Sequence, residues 1–291
     1  MRLRAAAVAV LAIMLAACDS TPSVAPSPTA TPEPTPTVTT YQLNATVWYA
    51  GLILTFGTAT STLDERGGTV TIGLELQNPT GDDLTLDAPI NLTVGGSAFQ
   101  PTRETVLPSV VAGSTGYTTL TFNVLDRRSV DGAVIQVGAA DLHHGIVPFG
   151  PGGTGVVSLQ PIDFNLKGTA VAGDMRLSVS HGQLRWDLPD WGDELPAGTA
   201  SLTVTYDVTY TGTFSGGTAF TGANIGLLLP DGRFVQPRAD GRSQSVGVIG
   251  PGKTLRRLST RFEIPVDLAG TYTLLLGNNG KRGKVTFKLP G

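Results

Sequence analysis

A single cysteine stands in the whole chain of 291 residues, which excludes an internal disulfide framework and any metal site built on several thiolates. Histidine is nearly as scarce, with only His143, His144 and His181 available as an imidazole base or ligand. Charge is thin too: Asp, Glu, Lys and Arg make up 15% of the chain, against roughly 25% for an average soluble domain. Neither half is basic enough to grip nucleic acid. Gly-x-Ser-x-Gly and His-Glu-x-x-His patterns are missing, and no cysteine stands where a nucleophile would be expected. The expectation is a protein that is not an enzyme and needs no cofactor, with an unrecognised hydrolase as the remaining catalytic alternative.

What is present begins with two charges, Arg2 and Arg4, followed by an apolar run over 5–17. The run suits the core of a signal peptide and is too short to cross a bilayer, where about 20 apolar residues are needed. It closes on Leu15, Ala16, Ala17 and Cys18, which resembles the lipobox of bacterial lipoproteins. That resemblance implies cleavage after residue 17, lipidation of Cys18 and attachment to the extracytoplasmic face of a cell membrane. In a two-membrane cell Asp19 would resemble the signal for retention at the inner membrane. Residues 18–40 follow as a linker; 19–40 carry six prolines and seven threonines with almost nothing apolar, a composition that favours an extended, solvated stalk.

The 37 glycines and 20 prolines point to many strands and tight turns. Two domains are expected, 41–160 and 161–291. The first holds four Lys/Arg against ten Asp/Glu, a net of −6, and the second fourteen against eleven, a net of +3. Self-comparison indicates one fold in two copies. Residues 68–76 (GTVTIGLEL) match 198–206 (GTASLTVTY), both alternating apolar and polar as half-buried strands do. Asp64 and Glu65 precede the first segment as Asp193 and Glu194 precede the second. Further matches join 90–101 to 225–237, 112–122 to 251–262, and 134–138 to 273–277. Gly150 to Gly155 mark the seam between copies. About seven short strands per copy, with no convincing amphipathic helix, lead to an all-β class of two tandem immunoglobulin-like antiparallel β-sandwiches.

At this level the chain resembles bacterial extracytoplasmic lipoproteins with an immunoglobulin-like domain of unknown function. The features that carry the likeness are the Asn78–Asp82 turn, Pro251-Gly252-Lys253-Thr254, and Phe262-Glu263-Ile264-Pro265. The first copy departs from the pattern by lacking a proline before Gly113, and the second by replacing the asparagine turn with 211–217. The resemblance implies fold and address, with no functional residue.

Several segments invite chemistry. Residues 247–254 satisfy GxxxxGK[ST], the phosphate-loop expression, whose chemistry requires a strand before it and a helix after it. Its partner segment at 113–122 is strand-like, so a turn at Pro251-Gly252 is expected and no nucleotide. Richer is the loop holding Trp186, Asp187, Asp190, Trp191, Asp193 and Glu194, absent from the first copy. Its carboxylates suit Ca2+ and its indoles suit a sugar face or a protein anchor. Asp141, His143 and His144 are weak metal candidates, because adjacent side chains on a strand point to opposite faces. Lys281, Arg282, Lys284 and Lys288, with Arg256 and Arg257, form a candidate basic patch. The resulting expectation is a membrane-anchored binding, adhesion or structural module facing an envelope protein or glycan, with a Ca2+-dependent or carbohydrate-recognition module as the alternative.

Overall fold

The computed structural model describes residues 35–149, 155–238 and 247–290; the expected signal peptide, Cys18, Asp19, most of the linker and the greater part of the 150–155 seam lie outside the described residues. Those described hold no α-helix, only one 3-10 turn at Gly222–Asn224, and no helix long and apolar enough to cross a membrane.

The first domain runs β1 (Thr37–Tyr49), β2 (Leu52–Asp64), β3 (Gly67–Gln77), β4 (Leu84–Thr85), β5 (Ile90–Val94), β6 (Ser97–Phe99), β7 (Ser109–Val110), β8 (Thr115–Leu125), β9 (Val134–Val137) and β10 (Gly145–Pro148). The order β1-β2-β3-β8 forms one antiparallel sheet and β10-β9-β5-β6 the other. The chain changes sheet between β3 and β5, between β6 and β8, and between β8 and β9, the Greek-key path of an immunoglobulin-like sandwich. Strand β1 adds an outer edge to this plan, and it starts at Thr37, so that 37–40 pair with 60–63.

The second domain repeats the path with β11 (Ile162–Ala172), β12 (Met175–Arg185), β13 (Asp187–Leu188), β14 (Asp193–Glu194), β15 (Thr199–Tyr210), β16 (Thr218–Phe220), β17 (Ile225–Leu228), β18 (Phe234–Val235), β19 (Gly247–Ile249), β20 (Thr254–Pro265), β21 (Tyr272–Asn278) and β22 (Lys281–Phe287). Its four-stranded sheets are β11-β12-β15-β20 and β18-β17-β21-β22, beside the two-stranded pairs β13-β14 and β16-β19. Every strand of the first copy has a counterpart here, and one unit is additional: the hairpin β13–β14, set between β12 and β15. The pairing of Asp64 and Glu65 with Asp193 and Glu194 is therefore corrected. The former belong to the tight β2–β3 turn, where Arg66 N–H donates to Asp64 Oδ1 at 2.6 Å, and the latter to the inserted hairpin.

Period-two alternation fills both cores. In β3, Val70, Ile72, Leu74 and Leu76 point inward, and in β15 Leu202, Val204, Tyr206 and Val208 do the same. Burying each such side chain is worth about 1.5–3 kcal/mol. Where alternation would fail, a bulge resets it: the register slips between Phe56 and Ala59 in β2 and between Val179 and His181 in β12, and again at corresponding points of β1 and β11. Two separate cores result, one drawn from 45–149 and one from 166–285. Leu188 and Leu195 are buried yet belong to neither core. They lie where the two domains meet.

Candidate functional site

The inserted hairpin brings most of the acidic loop against the first domain. Its landing place is the β1–β2 turn, where Ala50 (φ 49°) and Gly51 (φ 84°) both adopt left-handed backbone. This conformation costs a non-glycine residue roughly 1 kcal/mol, and here it turns two successive N–H groups toward the second domain. Ala50 N–H donates to Glu194 Oε2 at 3.0 Å and Gly51 N–H to Asp187 Oδ2 at 2.8 Å. Gly51 is required twice over, since a Cβ there would lie 2.9 Å from Pro189 Cα. A backbone ladder extends the junction: His143 N–H donates to Leu195 O at 3.2 Å, and Ala197 N–H to Asp141 O at 2.9 Å.

Asp187 is the centre of this clasp. Arg185 grips it with Nε to Oδ1 at 2.7 Å and Nη2 to Oδ2 at 2.9 Å. The two side chains retain only 11% and 6% exposure. The guanidinium also stands 5.8 Å from the ring centre of Trp48 in the first domain, within cation–π range. Glu194 behaves differently. Burial, reinforced by the neighbouring Asp187 charge, pushes its carboxyl up to about 9, against the opposing pull of Ala50 N–H and Arg185. It therefore carries its proton at neutral pH. Its Oε1 is buried and finds no hydrogen-bond partner among the described residues.

The six expected ligand residues thus divide. Asp187 and Glu194 serve the domain junction, Asp190 accepts from Arg261 Nη2 at 3.1 Å, and Trp186 packs on the second core. Only Trp191, 55% exposed, and Asp193 face outward. Among the described residues no group of three or more His, Cys, Asp or Glu side chains is arranged to hold a metal ion. Asp141, His143 and His144 do not converge: His143 Nε2 lies 2.6 Å from Thr199 O and His144 Nε2 2.6 Å from Ala139 O, each tied to backbone. The phosphate-loop match ends in β20 rather than a helix, with a turn at Pro251-Gly252 closed by Lys253 N–H to Gly250 O at 3.0 Å. The basic residues also separate, Lys281, Arg282 and Lys284 on β22, and Arg256 and Arg257 on β20 of the other sheet.

Sequence reading missed Ala50, Gly51 and Arg185 as parts of the junction. The signal available was the Ala-Gly pair between two alternating strands, a tight-turn cue, together with an Arg two residues before an Asp. No family model matches the chain, and no curated protein matches it. Among solved structures it is similar to a crystal structure of a conserved domain protein from Bacillus anthracis, at 12% identity and a TM-score of 0.28, over 86% of this chain and 90% of that one.

Proposed function

We propose that the protein is a lipid-anchored extracytoplasmic module without catalytic activity, in which two sandwiches joined as one body present their outer surfaces to an envelope protein or glycan. The observation that carries this reading is the direction of the acidic hairpin. The Asp187 carboxylate is committed to Gly51 and Arg185 and the Glu194 carboxyl to Ala50, a use of the two acids that fixes one domain against the other. A tethered module benefits from such a junction, because a fixed pair of domains presents its binding surface at lower conformational cost. The anchor is supported by the basic start, the apolar run and the small residues before Cys18.

The address is tested by expressing the full chain in a bacterium fed an alkyne-tagged fatty acid. Label on the wild-type chain, recovery with membranes, and loss of both in Cys18→Ser are expected. An unlabelled wild-type chain in the soluble fraction overturns the anchor. Exposure of Trp191 favours one second reading, in which a glycan stacks on that indole; Trp191→Ala would then abolish retention on an envelope-glycan column without altering the melting temperature.

A further inference from the structure

The outer face of the sheet β18-β17-β21-β22 is built unlike its counterpart in the first domain. Ile225, Leu227, Leu274, Leu276 and Val285 point into the core, so the residues between them point out. Register places Gly226 opposite Leu275, Leu228 opposite Thr273 and Phe234, Gly277 opposite Arg282 and Leu275 opposite Lys284. The centre of the face is thus apolar, and its β22 flank carries two cations. Neither Arg282 nor Lys284 has an ion-pair partner among the described residues.

The surface there is recessed. Phe234, 51% exposed, lies with its ring across Gly226, where any Cβ would overlap it. With the Phe234 ring seated on Gly226 and Gly277 left without a side chain beyond it, a concavity of about 600 Å3 opens between Phe234, Leu228, Leu275, Asn224 and Arg282. Among the described residues no carboxylate lines it. The first domain supplies the comparison within one molecule: at the positions of Gly226, Leu228 and Leu275 it has Asn91, Thr93 and Gln136, an ordinary solvated face. A sheet of this fold therefore does not need an apolar exterior, and an exposed apolar recess marks a binding surface.

We propose that this recess binds a single-chain anionic amphiphile, its apolar chain lying over Gly277, Leu275 and Leu228 against Phe234, and its phosphate or carboxylate meeting Arg282 and Lys284. The charge follows from the two cations on the β22 flank, with no acid lining the recess among the described residues. A single chain follows from the shape: the surface is sunken at Gly277, whereas a face that dips into a bilayer projects its apolar side chains.

Octyl phosphate, titrated as monomer into the exported full chain carrying Cys18→Ser, tests this by calorimetry, with octanol as the neutral comparison. Saturable one-to-one binding is expected, weakened on the order of tenfold or more in Phe234→Ala and in the double variant Arg282→Glu/Lys284→Glu. Octanol is expected to bind at least about tenfold more weakly, and Asn91→Ala in the first domain to leave octyl phosphate binding unchanged. None of the four substituted residues, Phe234, Arg282, Lys284 and Asn91, is buried, so folding is retained and a circular dichroism melt verifies it. Absence of saturable binding, equal affinity for octanol, or binding only to vesicles of anionic phospholipid and not to the monomer would each overturn the proposal, the last by assigning the face to a membrane surface.

Discussion

Gly51 of the first domain donates its backbone N–H to Oδ2 of Asp187 in the second at 2.8 Å, in a buried contact across 136 residues of sequence. Because the same carboxylate is held bidentate by Arg185, truncating it strands a buried guanidinium and a buried amide together. Breaking one partner of a buried pair costs about 3–5 kcal/mol. Asp187→Ala is therefore expected to loosen the junction more than either core. Calorimetry of the wild-type chain should give one cooperative transition, and that of Asp187→Ala two, as the domains melt separately. A single unshifted transition in the variant would refute the clasp.

Glu194 makes that junction sensitive to pH. Below about 4.5 its carboxyl is protonated whether the chain is folded or not; from there to about 9 the folded chain keeps a proton that the unfolded chain gives up. Rising pH consequently favours the unfolded state over this window, and the stabilisation present at acid pH is lost on the way to pH 9. Glu194→Gln keeps the amide-accepting oxygen and removes the titration. Melting temperatures measured from pH 5 to 9 should fall for wild type relative to Glu194→Gln, so that the variant is the more stable at the alkaline end. Parallel curves would mean that Glu194 is ionised in the fold.

How much of this was readable beforehand depends on the range of the interactions concerned. The strands were legible because alternation is local: Val70, Ile72, Leu74 and Leu76 reveal their buried face by spacing alone. The duplication was legible because each copy repeats that spacing in the same order. The inserted hairpin was not, since Asp193 and Glu194 precede a strand much as Asp64 and Glu65 do, and only the pairing of Asp187 with Glu194 and of Leu188 with Asp193 shows them to be strand. The acids of this loop carried the right signal, clustered charge next to indoles, but their partners are a turn N–H at Gly51 and a guanidinium. Backbone donors leave no trace in composition. The recess on β17 and β21 was hidden for a related reason: Gly226 and Leu275 read as ordinary strand residues until the register sets them side by side.

A second pair of equivalent positions tests how the added edge strands are seated. Gly145 in β10 and Gly283 in β22 occupy the same place in the two copies, opposite Val137 and Leu276. A Cβ at Gly145 would overlap Val47 Cγ1 of β1, whereas one at Gly283 would lie 2.5 Å from the backbone oxygen and 2.7 Å from the nitrogen of Val171 in β11. A side chain can rotate away and a backbone cannot. Overpacking costs about 1–3 kcal/mol, so Gly145→Ala is expected toward the low end and Gly283→Ala at or beyond the high end. Urea unfolding of the two variants checks the order; equal losses would contradict the closer approach of β11 to β22.

Tyr272 offers the most selective probe of the second domain. It stands at the start of β21, fully buried, with its hydroxyl donating to Leu268 O at 2.8 Å, the tyrosine-corner arrangement of immunoglobulin-like folds. Its ring stacks on Phe287 at 5.9 Å, which Tyr272→Phe would preserve. The first domain has Ala133 at the equivalent position and closes the same corner with Ala133 N–H to Val130 O at 3.0 Å. Removing the hydroxyl leaves Leu268 O short of a donor and is expected to cost about 1 kcal/mol, lowering the urea midpoint without changing the slope of the transition. In the Asp187→Ala background, where the domains melt apart, only the transition of the second domain should move. A shift of both transitions would mean that the domains remain coupled without the Asp187 contact, and would send the search for the clasp to the ladder between Asp141, His143, Leu195 and Ala197.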